Sequence, residues 1–250
     1  MATITLYNFP QSTCSQKVRL TMWEKGIPYE DYIIDHKNRE HLQDAYLRLN
    51  PNGVVPTITH GDAVIIDSSV IMEYLEEIFP EKPMSPADPV GRAHMRKWLR
   101  YLEEVPTPAI RVPSFNKYLS KRYRDMDDEK YREMADNHPV RKHFYKRMNK
   151  VGFSAEETEE AIDRLDQAAQ RFNDALAADG RPWIMGDDIT IADAAYLPTV
   201  DRMIDLGLGD IVDSKPALAD WYRRYSEREA FRKTFYEGTR LTEIFGKDAA

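Results

Sequence analysis

A proline-rich segment divides this chain into two halves with different sequence patterns. Residues 80–89 hold four prolines in ten positions. Proline lacks a backbone N–H and disfavours helix in the residue before it, so we interpret this segment as a linker. Strand and helix patterns alternate before it, whereas only helical spacing follows it. The sequence predicts an α/β domain (residues 1–80), a linker (81–89) and an all-helical domain (90–250).

The pattern of the first half predicts a small mixed sheet. Apolar alternation and turn residues divide it in the order β-α-β-α-β-β-α. The predicted strands are residues 4–9, 29–35, 57–60 and 63–66, and the predicted helices are 15–25, 39–49 and 68–79. In the second half, helices are predicted at 91–104, 107–123, 154–178, 190–206, 217–226 and 230–238.

Composition excludes several classes of function. The net charge of −7 argues against nucleic acid or an anionic membrane as the main partner. A single cysteine excludes an internal disulfide framework and fits a reducing compartment. The chain shows neither a secretory signal pattern nor a run of about 18 apolar residues. We therefore expect a cytoplasmic protein with no membrane association.

A cluster of three hydroxyls and one thiol lies at the start of the first predicted helix. Its members are Ser12, Thr13, Cys14 and Ser15. A helix N-terminus favours anions and lowers the pKa of nearby thiols, so the cluster is a candidate for thiolate chemistry. The alternative is that Ser12 or Thr13 only caps the helix and that Cys14 is a small buried side chain. Local sequence leaves both open.

Three further features stand at particular places in the predicted elements. Val55-Pro56 precedes a strand, Asp67-Ser68 begins a helix, and Thr190-Ile-Ala-Asp193 has the form of a capping box before an apolar run. Ile189 is placed to act as its hydrophobic staple. Together with the hydroxyl cluster, these features resemble the cytosolic glutathione transferases over nearly the whole chain. That resemblance implies an N-terminal thioredoxin-like domain and a C-terminal helical domain.

The resemblance also implies glutathione as co-substrate and no metal. A cis Val55–Pro56 bond would present the Val55 backbone to the cysteinyl part of glutathione, and Ser68 and Asp67 would hold the γ-glutamyl carboxylate and ammonium. Alternatively, Pro56 only ends a turn and the acidic-serine pair only caps its helix. For the glycyl carboxylate the candidates are His41 and Lys17, although a solvated surface position is an equal expectation for Lys17.

Glutathione would be the nucleophile, so the protein has to stabilise its thiolate. Ser15 is our first choice for the stabilising hydroxyl, and Ser12 and Thr13 are the alternatives. Cys14 either lines the site passively or attacks a glutathionyl-substrate adduct through a mixed disulfide.

The second substrate, an apolar or aromatic electrophile, is expected between the domains. The predicted walls are Tyr101, Ile110, Arg111, Val112, Phe115, Asn116 and Tyr118. Arg111 would orient an anionic or phenolic substrate, and ordinary interdomain packing is the alternative for this stretch. The charged residues 127–150 are expected to form a solvated helix pair. His138 and His143 within them lack metal-ligand spacing.

Within the family, the run from Ser12 to Leu20 is similar to bacterial branches that use Ser or Cys at this place. These are the β-etherases of lignin-derived aryl ethers, the reductive dehalogenases of chlorinated hydroquinones and the theta-like transferases. The resemblance implies that a glutathione thiolate displaces a phenol from a β-aryl ether. A dehalogenase that uses Cys14 and a non-catalytic ligand-binding protein are the alternatives. A homodimer is the family expectation.

Overall fold

The computed structural model describes residues 3–246 of the chain. Four strands form one sheet: β1 (Ile4–Asn8), β2 (Tyr29–Ile33), β3 (Thr57–His60) and β4 (Ala63–Ile66). Their order is β2-β1-β3-β4. β1 is parallel to β2, and the other two pairs are antiparallel. The predicted mixed four-stranded sheet is therefore confirmed.

Three α-helices complete this half: α1 (Thr13–Lys25), α2 (Asp44–Leu47) and α3 (Ser68–Ile78). The predicted helix at 39–49 is wrong. A 3-10 turn (Glu40–Leu42) and the short α2 replace it, because Arg39 is left-handed and Gln43 is extended. The apolar spacing instead serves to bury Tyr46, whose hydroxyl donates to the Val54 carbonyl at 2.7 Å.

The remaining elements, up to residue 246, are helices. The α-helices among them are α4 (Pro89–Glu104), α5 (Pro106–Ala109), α6 (Arg111–Lys117), α7 (Asp128–Asp136), α8 (Lys142–Met148), α9 (Ala155–Ala177), α10 (Ile191–Asp205), α11 (Gly209–Asp213), α12 (Pro216–Ser226), α13 (Glu229–Thr234) and α14 (Leu241–Phe245). The single helix predicted at 107–123 is wrong, because α5, α6 and a 3-10 segment (Leu119–Tyr123) share this stretch. No helix within residues 3–246 is long and apolar enough to cross a membrane.

The capping box is confirmed and lies at the centre of the helical core. The Asp193 carboxylate accepts from the Thr190 N–H at 2.9 Å, the Ile184 N–H at 3.0 Å and the Trp221 indole N–H at 2.9 Å. Burial raises the pKa of Asp193, and these donors act against that rise. Ile189 packs against the same core. The box therefore fixes the start of α10, the most completely buried helix of this half.

Helix α1 joins the two halves. It packs on α3 beside the sheet and on α10 and α13 of the helical half. Its buried side chains, Val18, Leu20 and Met22, belong to one apolar core that extends across both halves. The helix whose first residues carry the hydroxyl cluster is thus held from both sides.

Candidate active site

Three loops meet at one end of the sheet. Tyr7 near the end of β1 pairs with Thr57 at the start of β3, and Thr57 pairs with Ile66 at the end of β4. The segments that follow β1, precede β3 and follow β4 therefore leave the sheet on the same side. This register brings the start of α1, the Val55–Pro56 bond and Asp67-Ser68 into one neighbourhood. The Val55–Pro56 peptide bond is cis, as the family resemblance implies.

The side chains of the hydroxyl cluster, residues 12–15, have different surroundings. Ser12 caps α1, and its Oγ accepts a hydrogen bond from the Ser15 N–H at 3.3 Å. Ser12, Thr13 and Cys14 line a cleft of about 830 Å³. The side chain of Ser15 is fully buried, and among residues 3–246 its hydroxyl has no hydrogen-bond partner. In this conformation, Ser15 does not reach the cleft.

The cleft lies between the loop end of the sheet and the helical half. Gly53, Val54 and Val55 line it on the sheet side. Of the seven predicted walls, Ile110, Arg111 and Phe115 line the opposite side. The stretch around α6 thus contributes three of its seven named residues to the lining of the cleft.

Four predicted wall residues do not line the cleft, and each has another role. Tyr101 lies under the Arg171 guanidinium, 3.9 Å from its ring centre. The Asn116 amide donates to the Phe153 carbonyl at 3.0 Å and accepts from the Phe153 N–H at 2.7 Å. Their side chains are thereby committed to packing within the helical half.

The other two residues of this group are Val112 and Tyr118. Val112 borders a separate surface cleft beside α8 and α9. Tyr118 stacks on Phe245, with ring centres 6.4 Å apart. Both face away from the cleft that Cys14 lines.

Residues 127–150 are not the solvated helix pair that their charges predict. His138, Arg141 and Tyr145 from this segment line the cleft. An apolar cluster ties the segment to α6, with Phe115 of α6 and Tyr145 of the segment both buried within it. Pairs of large apolar residues three positions apart (Tyr131 with Met134 and Tyr145 with Met148) were the available sequence signal, because that spacing marks one helix face.

Three histidines and a tyrosine form an aromatic wall on this side. His36, His41, His138 and Tyr145 follow one another with ring centres 5.5, 5.8 and 4.8 Å apart. Burial, followed by nearby arginine charges, lowers the pKa of His36 and His138 to about 3 and that of His41 to about 4. The three imidazoles are therefore neutral near pH 7, so they offer hydrogen bonds and stacking but no charge.

Asp67 and Ser68 stand where the sequence predicts them, at the start of α3. Asp67 has a left-handed φ of 71°, and its carboxylate accepts from the Ser69 and Val70 N–H groups at 3.0 and 3.2 Å. Asp67 is exposed and Ser68 is buried. The capping role is thus present, and the exposed carboxylate remains open to a cationic ligand group.

Lys17 is neither at the glycyl-carboxylate site nor at the solvated surface, the two positions that the sequence suggests. Its side chain is fully buried, and its ammonium pairs with Glu103 at 2.5 Å and donates to the Thr107 hydroxyl at 3.1 Å. It is committed to the contact between α1 and α4. Of the two candidates for the glycyl carboxylate, only His41 lines the cleft.

Sequence reasoning missed most of the polar lining of the cleft. The missed polar residues are Gln11, His36, Ser114, Arg122, His138, Arg141, Tyr145 and Arg202. They come from loops and short helices that are far apart in sequence, so no local pattern joins them.

Two family models match the chain. The glutathione S-transferase N-terminal domain matches residues 6–83, and the glutathione S-transferase C-terminal domain matches residues 155–224. The fold, the cis-proline loop and the capping box agree with both. The chain belongs to the glutathione S-transferase family, whose co-substrate is glutathione.

Two relatives that match along almost their whole length show which members of the family this chain resembles. The chain is 28% identical to the protein LigF of Sphingobium sp. strain SYK-6 over 246 residues, 95% of each chain. It is 30% identical to the tetrachloro-p-hydroquinone reductive dehalogenase of Sphingobium chlorophenolicum, over 92% of this chain and 95% of the relative. The crystal structure of the β-etherase LigF superimposes with a TM-score of 0.84, covering 93% of this chain and 98% of that one.

Proposed function

We propose that this transferase cleaves β-aryl ethers. The glutathione thiolate attacks the carbon that bears the aryloxy group, a carbon–sulfur bond forms, and the carbon–oxygen bond breaks. The electron pair leaves with the phenolate, which takes a proton from water. The observation that carries this proposal is the likeness to the β-etherase LigF in sequence and in structure along almost the whole chain.

For glutathione itself we propose a position across the loop end of the sheet. Asp67 holds the ammonium and Ser68 the carboxylate of the γ-glutamyl end, beside the start of α3. Val55 pairs with the cysteinyl backbone. His41 donates one hydrogen bond to the glycyl carboxylate. The shared register of these segments and the exposure of Asp67 support this assignment.

The hydroxyl that stabilises the thiolate is, in this proposal, that of Ser12. Its oxygen already accepts from the Ser15 N–H, so its own proton is free to donate into the cleft. Thr13 also lines the cleft and is the alternative. Ser15, our first choice from sequence, is displaced because its hydroxyl is buried away from the cleft.

The energies are of the right size for this chemistry. A free thiol has a pKa of about 8.5, and each unit of lowering corresponds to about 1.4 kcal/mol. A hydrogen bond to a charged group contributes roughly 1.5–3 kcal/mol. One hydroxyl at a helix N-terminus can therefore lower the pKa of the bound thiol by about two units.

The second candidate function is glutathione-dependent dehalogenation through Cys14. One observation favours it, namely that Cys14 lines the cleft and is partly exposed. In this reaction the Cys14 thiolate attacks the glutathionyl sulfur of the adduct. A mixed disulfide forms and the reduced product leaves with the bonding electron pair.

Product analysis separates the two functions. The protein is incubated with glutathione and a model β-aryl ether, and in parallel with a chlorinated hydroquinone. The proposal expects phenol and a glutathione thioether in equal amounts from the ether, at a rate that Cys14→Ser leaves intact. Halide release without ether cleavage, with a dechlorinated product that Cys14→Ser abolishes while the glutathione adduct accumulates, would instead establish the dehalogenase.

We further propose that residues 1–80 and 90–250 are separate domains joined by 81–89, and that the protein is a cytoplasmic homodimer. The family resemblance supports these assignments. Light scattering on the purified protein tests the dimer, and a mass of one chain would contradict it.

A further inference from the structure

The cleft is lined by four arginines and by no carboxylate among residues 3–246. The arginines are Arg111, Arg122, Arg141 and Arg202. The histidines beside them are neutral near pH 7, so the arginines carry the charge of this surface. The protein as a whole has a net charge of −7, which makes a cationic cleft a local arrangement rather than a consequence of composition.

Two of these arginines are already engaged by the protein. Arg202 donates to the Gln11 carbonyl at 2.6 Å and lies 3.4 Å from the Asp205 carboxylate. Arg122 is 2.8 Å from the His36 ring nitrogen and lies over the Tyr123 ring. Arg202 thus has a carboxylate beside it, and Arg122 is exposed to solvent, where water screens its charge.

Arg111 and Arg141 differ from them. Among residues 3–246, no carboxylate lies within 4.0 Å of either guanidinium. The Arg111 charge acts weakly on Glu103, whose carboxylate is already held by Lys17 at 2.5 Å and by the Ser69 hydroxyl at 3.2 Å. Both arginines are only partly exposed, so water screens their charge incompletely.

The two arginines also act on each other and on the thiol cluster. Burial, followed by the charge of Arg111, lowers the pKa of Arg141, while Tyr145 and Cys14 act to raise it. Arg141 also acts on the three neutral histidines His36, His41 and His138. A pair of like charges beside the thiol site, without a counterion, needs an anion from outside the protein.

We propose that Arg111 and Arg141 bind a carboxylate of the second substrate, so that the preferred acceptor is an aryl ether acid. This inference rests on the proposed function for the use of the cleft. Guanidinium groups bind carboxylates through paired, charge-assisted hydrogen bonds, which fix orientation as well as affinity. An acid held there lies beside Cys14, and hence beside the thiolate at the start of α1.

Glutathione also carries two carboxylates, so it is the competing source of the anion. Its γ-glutamyl end has partners at Asp67-Ser68 and its glycyl end at His41, all on the sheet side. Arg111 and Arg141 belong to α6 and to the residue before α8, on the helical side. The pair is therefore placed for the acceptor, and the experiment has to separate the two sources.

Calorimetric titration with phenoxyacetate and with its methyl ester tests whether Arg111 and Arg141 bind the carboxylate. The ligands are titrated into protein loaded with S-methylglutathione, which has no free thiol, so that no ether is cleaved during the measurement. We expect the acid to bind at least tenfold more tightly than the ester, since one charge-assisted hydrogen bond is worth about 1.4 kcal/mol or more. Arg111→Leu and Arg141→Leu should each remove the preference, and the lysine variants should keep part of it.

The control variant is Arg132→Leu, which removes one charge from an exposed position of α7 outside the cleft. It should keep the preference. Equal binding of acid and ester by the wild type overturns the proposal. The proposal is also overturned if both leucine variants keep the preference for the acid. It is likewise overturned if those variants bind glutathione tenfold more weakly, because Arg111 and Arg141 then serve glutathione. Acid preference without any ether cleavage would refute the proposed reaction and leave this inference standing.

Discussion

At the scale of residues, the start of α1 shows why neighbours in sequence have different uses. An α-helix turns by about 100° at each residue, so four consecutive side chains point in four directions. Ser12, Thr13 and Cys14 therefore reach the cleft, while Ser15 points into the core. The sequence shows that a hydroxyl cluster stands at a helix N-terminus, but the neighbours that bury one member come from elsewhere in the chain.

Replacing the Ser12 hydroxyl should weaken thiolate formation. In Ser12→Ala we expect the pKa of bound glutathione to rise by one to two units, because one hydrogen bond to the thiolate of roughly 1.5–3 kcal/mol is lost. The lost cap also costs about 1 kcal/mol of stability. Ultraviolet titration of the bound thiol measures the first effect. Ser12→Thr should keep the low pKa of bound glutathione. If that pKa rises in Thr13→Val and not in Ser12→Ala, the stabilising hydroxyl is that of Thr13.

Ser15 should behave in the opposite way. Its hydroxyl is buried and has no hydrogen-bond partner within residues 3–246, and such a group costs about 1–3 kcal/mol. We expect Ser15→Ala to leave the rate of ether cleavage unchanged and the free energy of unfolding equal or higher. Urea unfolding and a rate assay check both. A large loss of rate with normal stability would show that the Ser15 hydroxyl acts in the active site after all.

At the scale of elements, regular patterns predicted most of what the structure contains. The four strands, α1, α3 and the capping box of α10 follow from apolar spacing and end signals within each segment. The patterns failed at 39–49, 107–123 and 127–150. In the first and last of these, a few large side chains pack against distant parts of the chain, such as Tyr46 on the sheet side and Tyr145 against Phe115. Local spacing can indicate that one helix face is buried, but not which distant residues cover it, and Tyr145 is part of one wall of the cleft.

The histidines of that wall should make stability depend on pH. Their folded pKa values lie well below the ordinary 6.5, so the unfolded chain binds more protons and stability falls as pH falls below about 6.5. Each neutral histidine contributes up to about 1.4 kcal/mol per pH unit. Urea unfolding of His138→Gln should show a smaller loss between about pH 7 and pH 5. The exposed His143→Gln should match the wild type, and equal slopes in all three would contradict this account.

At the scale of the whole molecule, the site depends on how the two halves are held together. Helix α1 belongs to the sheet side by sequence, yet it packs on α10 and α13. The buried Lys17–Glu103 pair joins it to α4. Arg228 adds a bidentate pair with Glu24 at 2.7 and 2.6 Å. The cleft therefore has one wall from each half, and both are anchored on the helix that begins with the hydroxyl cluster.

Breaking the Lys17–Glu103 pair should destabilise the protein more than any surface charge change. Burial would raise the pKa of Glu103, but the Lys17 charge and hydrogen bonds from Lys17 and Ser69 hold it below its usual value. We expect Glu103→Gln to cost about 3–5 kcal/mol, because a buried ammonium is left unpaired. Glu104→Gln, on the exposed next position, is the matched control. Urea unfolding measures the loss of stability. An equal loss in Glu103→Gln and Glu104→Gln would refute the stabilising role of the Lys17–Glu103 pair.

The central claim is that this cleft binds glutathione as a thiolate for attack on an aryl ether. Ultraviolet difference titration of glutathione bound to the wild-type protein tests it most directly. We predict a bound-thiol pKa near 6.5, about two units below the free value. Bound glutathione that titrates at its free pKa of about 8.5 would contradict the account.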